Sequence, residues 1–217
     1  MIIPFIKNIN FFELAKFMSF QKKSILPKEY QQVEYLESSG NQYIITPFAY
    51  DFGAGAESQD KYDVFIKCSS DDNYSICGAR WNDDRAFNLT GDNDVYKFYA
   101  YSNSSSITTN ISVELIPHTW EYRDYTLYCD GVLLGEAGRQ SPGGGLRSIY
   151  LFARNYGNSP NDIGGTVRIY SFSAKRNNTL ICDMYPCIRK SDNKPGMYDL
   201  ITKQFYTNSG NGEFITG

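Results

Sequence analysis

Residues 186–217 read PCIRKSDNKPGMYDLITKQFYTNSGNGEFITG, and their reading decides the fold class. Turn formers recur at short intervals: Asp192-Asn193, Pro195-Gly196, Asn208-Ser209-Gly210 and Gly212. Only short groups of apolar or aromatic residues stand between them. A helix needs an apolar stripe of 3.6-residue period over a long uninterrupted run, and none is present. Very short strands joined by tight turns fit the spacing. Gly196, Gly210 and Gly212 stand where the chain is expected to turn with positive φ. Met197, Tyr198, Leu200, Phe205 and Phe214 are spaced to enter a core, and Asp199 is expected to accept turn or backbone hydrogen bonds.

The rest of the chain from Pro27 onward has the same character. Gln42–Phe48, Tyr62–Cys68, Tyr74–Arg80, Arg85–Thr90, Val95–Tyr101 and Ile107–Ile116 are β-rich runs between clusters of Gly, Asp, Asn and Ser. Ser148–Ala153 and Thr166–Lys175 are two more. Asp130-Gly131, set between the apolar runs of Tyr125–Gly135, is the preferred pair for a two-residue type I′ hairpin. Strands at a spacing of roughly ten residues, with no helices alternating between them, predict an all-β antiparallel sandwich or jelly roll.

Composition agrees. The 217 residues include 18 Tyr and 14 Phe, side chains suited to a pleated, half-buried surface. A single domain of this size buries roughly 70% of its unfolded surface and needs no disulfide framework. The net charge of −3, without a dense basic block, argues against nucleic acid as a partner. Five cysteines, Cys68, Cys77, Cys129, Cys182 and Cys187, are odd in number and scattered. They read as free, mostly buried thiols of a protein folded in a reducing compartment. One histidine, His118, supplies no zinc ligand set and no recognisable nucleophile–base pair.

Residues 1–26 differ from the rest. They are strongly apolar, yet Lys7, Glu13 and Lys16 interrupt the run, so neither a secretory signal nor a membrane span is expected. A helix here would be apolar nearly all round and would need burial. The expectation is a helical or extended anchoring arm, with Phe5, Ile9, Phe11, Phe12 and Phe17 entering a larger assembly. Residues 27–217 form the sandwich domain.

Several segments carry a family resemblance. Leu26–Ile44 (LPKEYQQVEYLESSGNQYI) resembles the opening signature of concanavalin A-like, laminin-G-like sandwich domains of bacterial surface and phage virion proteins. Ile76–Arg80, Ile149–Asn155, Gly165–Phe172 and the closing run 186–217 resemble later signatures of the same group, in the same order. The resemblance implies two facing antiparallel sheets. It also implies lectin-like sugar binding, or calcium held at loop ends.

The residues themselves limit the chemistry. Glucanases of related fold need two carboxylates on one face of a strand; Glu121 and Asp124 lack that spacing, and Asp92 and Asp94 lie in a turn-like cluster before Val95. No catalytic residue is expected, and a glycoside hydrolase is the least favoured alternative. Calcium is the one cofactor the sequence offers ligands for, at Asp71, Asp72, Asp92 and Asp94, where solvated turns are the competing reading. Arg80, Trp81, Asn82, Tyr99, Asn155 and Tyr156 combine aromatic faces with planar polar groups, as a carbohydrate site requires. The expected function is non-catalytic. It is a phage virion component (capsid decoration, head-fibre or tail-associated) assembled in the bacterial cytoplasm and anchored by residues 1–26. The alternative is a carbohydrate-binding module of a bacterial surface or secreted protein. Expected partners are a larger protein assembly, further copies of the chain, and cell-surface or mucus glycans, but not a membrane.

Overall fold

The computed structural model describes residues 24–53, 60–82, 85–100, 106–137 and 144–217, and every regular element in them is a strand. The anchoring candidates Phe5, Ile9, Phe11, Phe12 and Phe17 lie outside the described residues, as do Asp83, Asp84 and Tyr101. In chain order the strands are β1 (Tyr30–Gln32), β2 (Leu36–Ser38), β3 (Ile44–Asp51), β4 (Tyr62–Ser70), β5 (Ser75–Asn82), β6 (Arg85–Asp92) and β7 (Val95–Ala100). Next come β8 (Ser106–Ser112), β9 (His118–Arg123), β10 (Thr126–Cys129), β11 (Val132–Glu136), β12 (Leu146–Leu151), β13 (Arg154–Tyr156) and β14 (Ser159–Asn161). The chain closes with β15 (Val167–Arg176), β16 (Thr179–Arg189), β17 (Lys194–Asp199), β18 (Gln204–Thr207) and β19 (Ile215–Thr216).

The strands form two sheets packed face to face as a β-sandwich. The larger runs β11-β10-β9-β4-β15-β16-β17-β18, with β1 on β16, and β2 joining β15 to β19. The smaller runs β14-β13-β5-β6-β7-β8, with β12 bridging β5 to β3. All pairings are antiparallel except β13 on β5, which is parallel.

Local chemistry explains much of this. Among the described residues five two-residue turns have positive φ at both positions, at Asn93-Asp94, Asp124-Tyr125, Asp130-Gly131, Gly157-Asn158 and Asn177-Asn178. That geometry matches the right-handed twist of the flanking strands, and Asn, Asp and Gly tolerate it best. Along β4, Tyr62, Val64, Ile66 and Cys68 alternate inward. Along β15, Val167 and Ile169 point inward, and then Phe172 and Ala174. A bulge between Ile169 and Ser171 inserts the extra residue that changes the phase, so both halves of the strand reach the same core. Aromatic rings fill the space between the sheets: Tyr50 and Phe87 stack at 4.9 Å, and Phe87 meets Phe98 edge-on at 5.2 Å.

The closing run behaves as a seam. Met197, Tyr198 and Phe214 are buried. Of the three glycines expected at positive φ, only Gly212 has it. Gly196 lies within β17, where a β-carbon would collide with the Tyr206 carbonyl and the Phe205 ring. Gly210 presses on the Asn41 carbonyl. Both are glycine for space rather than for backbone freedom. Leu26 also belongs to the domain, buried against Cys187 and Tyr198. The run expected over Ile107–Ile116 ends at Ser112.

All five cysteines are buried free thiols. Burial pushes Cys77, Cys129 and Cys187 up to about 12, with Asp130 adding to the effect at Cys129. Since the thiolate is the reactive form, the native protein is expected to take up no alkylating reagent at pH 8, and to take up five equivalents when unfolded in denaturant. Mass spectrometry reads the result, and rapid labelling of the native protein would contradict it.

Candidate functional site

The smaller sheet turns one face to the core and the other outward. Cys77, Ala79, Phe87, Leu89, Phe98 and Ala100 join the core cluster. Alternation therefore sends Gly78 and Arg80 on β5, Asn88 on β6, and Lys97 and Tyr99 on β7 to the outer face. Register sets them side by side. Asn88 lies opposite Gly78 on one flank and Tyr99 on the other. Arg154 pairs with Gly78, and Tyr156 pairs with Arg80, which in turn pairs with Ala86. Two small residues, Gly78 and Ala86, are thus ringed by long ones. The result is a basin of about 360 Å³ lined by Arg80, Ala86, Lys97, Tyr99 and Arg154.

The rim is ordered by its own contacts. Arg80 Nε donates to the Asn82 carbonyl at 3.0 Å, and its guanidinium lies 5.6 Å from the Tyr156 ring centroid. Arg154 Nη2 donates to Asn161 Oδ1 at 2.6 Å, and Nη1 stands 3.9 Å from Asp162 Oδ2. Lys97 Nζ donates to Asp92 Oδ2 at 3.0 Å and lies 5.0 Å from the Tyr99 ring centroid. Burial lowers the pKa of Arg154; Asp162 pulls the other way, and the neighbouring positive charge of Arg80 adds to the lowering.

Asn88 lies on the same outer face, opposite Gly78 and Tyr99. Its side chain is 0% exposed, and a β-carbon on Gly78 would collide with its Oδ1. Neither Oδ1 nor Nδ2 of Asn88 has a hydrogen-bond partner among the described residues, and Arg154 Nε is likewise buried without one.

Of the carbohydrate candidates, the structure brings Arg80, Tyr99 and Tyr156 to one outward face. Asn82 sits at the end of β5 and holds Arg80 through its carbonyl. Trp81 is only partly exposed: it packs on the core, contacts Gly145 and carries the Arg147 guanidinium at 4.5 Å. Asn155 is corrected: it is 1% exposed and lies inside. Its Nδ2 donates to the Ser148 carbonyl at 2.9 Å and its Oδ1 accepts from the Asn158 N–H at 3.0 Å, so it holds the turn after β13. Asn88, Lys97 and Arg154 were missed as site residues, because their meeting depends on the register of separate strands.

Three of the four aspartates proposed for calcium, Asp72, Asp92 and Asp94, accept hydrogen bonds through their carboxylates. Asp72 Oδ1 accepts from the Asn73 N–H at 2.8 Å. Asp94 Oδ1 accepts from Asn73 Nδ2 at 3.1 Å, while the Asp94 N–H donates to Asn73 Oδ1 at 3.0 Å. Asp92 Oδ1 accepts from Asn93 Nδ2 at 2.9 Å, its Oδ2 being bonded to Lys97. Asp71 donates its N–H to the Thr166 carbonyl.

Among the described residues, His118, Cys129 and Asp130 do gather potential ligand atoms within 4.8 Å of one another. Hydrogen bonding accounts for this cluster. Asp130 Oδ2 is 2.7 Å from His118 Nδ1, and Oδ1 accepts the Thr119 N–H at 2.8 Å. Burial opposes ionisation of Asp130, but the bonds from His118 and Thr119 outweigh it and lower its pKa. Cys129 is held as the thiol. The group latches the Asp130-Gly131 hairpin to β9.

No protein-family model matches this chain, and no curated protein matches it.

Proposed function

We propose that this chain is a non-catalytic recognition domain of the concanavalin A-like kind, binding a saccharide on the outward face of its smaller sheet. The observation that carries the reading is the basin between Arg80, Tyr99 and Arg154. Sugars present apolar ring faces and fixed arrays of hydroxyls, so they suit aromatic surfaces set beside planar hydrogen-bonding groups. Tyr156, 44% exposed, and Tyr99 offer the ring faces. Arg80, Arg154 and Asn88 offer the planar groups.

Among the described residues the basin lining carries no acid, which fits binding better than glycoside cleavage, a reaction that needs a proton donor at the scissile oxygen. Asp183, whose carboxyl is raised by burial, stands on β16 of the other sheet beside Tyr185 and Asp199. Anchoring in a virion by residues 1–26 is a separate proposal, which falls mostly on residues outside those described.

A glycan array followed by calorimetry tests the reading. Binding is expected, and Tyr156→Ala should weaken it about tenfold, the equivalent of roughly 1.4 kcal/mol, without moving the unfolding midpoint. An array covering neutral and acidic glycans with no hit at all would overturn the proposal.

A further inference from the structure

We infer that the basin selects an acidic saccharide, with a carboxylate of the sugar held among Arg80, Lys97 and Arg154 and a neighbouring hydroxyl hydrogen-bonded to Asn88. This rests on the saccharide reading and narrows it to a ligand class.

Three cationic side chains line one small concavity with no carboxylate among the described residues of its lining, in a chain whose net charge is −3. Like charges drawn together on a partly desolvated surface repel, and an anion placed between them offsets that repulsion. Arg80 and Arg154 are close enough for this repulsion to register on Arg154. A guanidinium carries five donors in a planar fork that matches a carboxylate in two-point contact. The Nε of Arg154 is buried and has no partner among the described residues.

Asn88 is the second observation, independent of charge. A buried amide without partners is costly to maintain, and native proteins rarely keep one without a reason. This one lies on the outer face of the sheet, opposite Gly78 and paired with Tyr99 of the basin lining. It presents an acceptor and a donor together, and a sugar hydroxyl can both donate and accept. Asn88 is 0% exposed, so a hydroxyl reaches its amide once the side chains around it move aside. A volume of about 360 Å³ is at the small end of ligand sites, enough for one sugar unit of a longer chain.

The experiment titrates the full chain with oligomers of galacturonate and of glucuronate, with their methyl esters, and with sulfated galactan oligomers. One of the two uronate series is expected to bind, its methyl ester at least tenfold more weakly, with affinity falling as salt rises. Arg80→Gln and Lys97→Gln should each weaken uronate binding about tenfold or more and methyl-ester binding much less, so that the preference for the acid over its ester shrinks, with the unfolding midpoint unchanged. Tyr156→Ala should weaken both forms alike. Equal affinity for ester and acid, or no effect of the two charge variants, overturns the inference and leaves saccharide recognition standing. Preference for the sulfated oligomers overturns the carboxylate assignment. No binding of any saccharide, neutral or acidic, overturns both.

Discussion

Asp199→Ala is expected to lower stability by about 3–5 kcal/mol, because a buried carboxylate that satisfies backbone donors leaves them unpaired when removed. Asp199 is 0% exposed at the end of β17. Its Oδ1 accepts the Asp183 N–H at 2.6 Å and, at a longer 3.4 Å, the Ile201 N–H; Oδ2 accepts the Thr202 N–H at 2.8 Å. One side chain therefore ties β16 to the turn that leads into β18. Asp199→Asn keeps the shape and one acceptor oxygen, so its effect should be about half as large. Denaturant unfolding followed by fluorescence measures both. A change below about 1 kcal/mol for the alanine variant would mean that water replaces the carboxylate and the site is open.

Trp120→Ala carries the other large effect, again about 3–5 kcal/mol, the range for removing a large aromatic from a packed core. Trp120 is 2% exposed on β9, between Ile66 of β4 and Cys129 of β10. Its ring meets Tyr96, which reaches across from β7 of the opposite sheet, at 4.9 Å. Truncation therefore empties the space between the sheets rather than a surface notch. Trp120→Phe should differ sharply, at less than about 1.5 kcal/mol. The indole Nε1 has no hydrogen-bond partner among the described residues, so phenylalanine removes an unpaired donor and keeps most of the packing. Equal losses for both variants would show that the indole is held by an interaction other than packing.

The two predictions differ in how far the sequence announced them. Asp199 stands in a run dense with turn residues, and a carboxylate there is expected to bind backbone N–H groups. The structure places it so. The Asp130-Gly131 hairpin is equally local, and both residues have the expected positive φ, 49° and 79°. Strand β16 was not legible. It is the longest strand, yet it contains Pro186, which cannot donate to a ladder. That proline falls where the neighbouring strand changes: β15 pairs with β16 as far as Met184, and β1 pairs from Cys187 onward. The interruption is harmless only because of how the sheet is assembled, which no local pattern reveals. The parallel β13–β5 pair, in a chain that reads as antiparallel throughout, was hidden for the same reason.

The site divides along the same line. Arg80, Tyr99 and Tyr156 could be nominated from residue type, since aromatic and planar polar groups stand close together along the chain. Asn155 looked equivalent and is not, because its amide closes a turn on the inside. What the sequence by itself determined is the all-β sandwich with its tight turns, since alternation and turn chemistry act within a few residues. Only the tertiary structure decided that Arg154, Asn88, Lys97 and Tyr99 meet over Gly78 and Ala86. Their side chains come together through the pairing of β13, β5, β6 and β7, and cross-strand register is set by the packing of the whole core rather than by any stretch of chain.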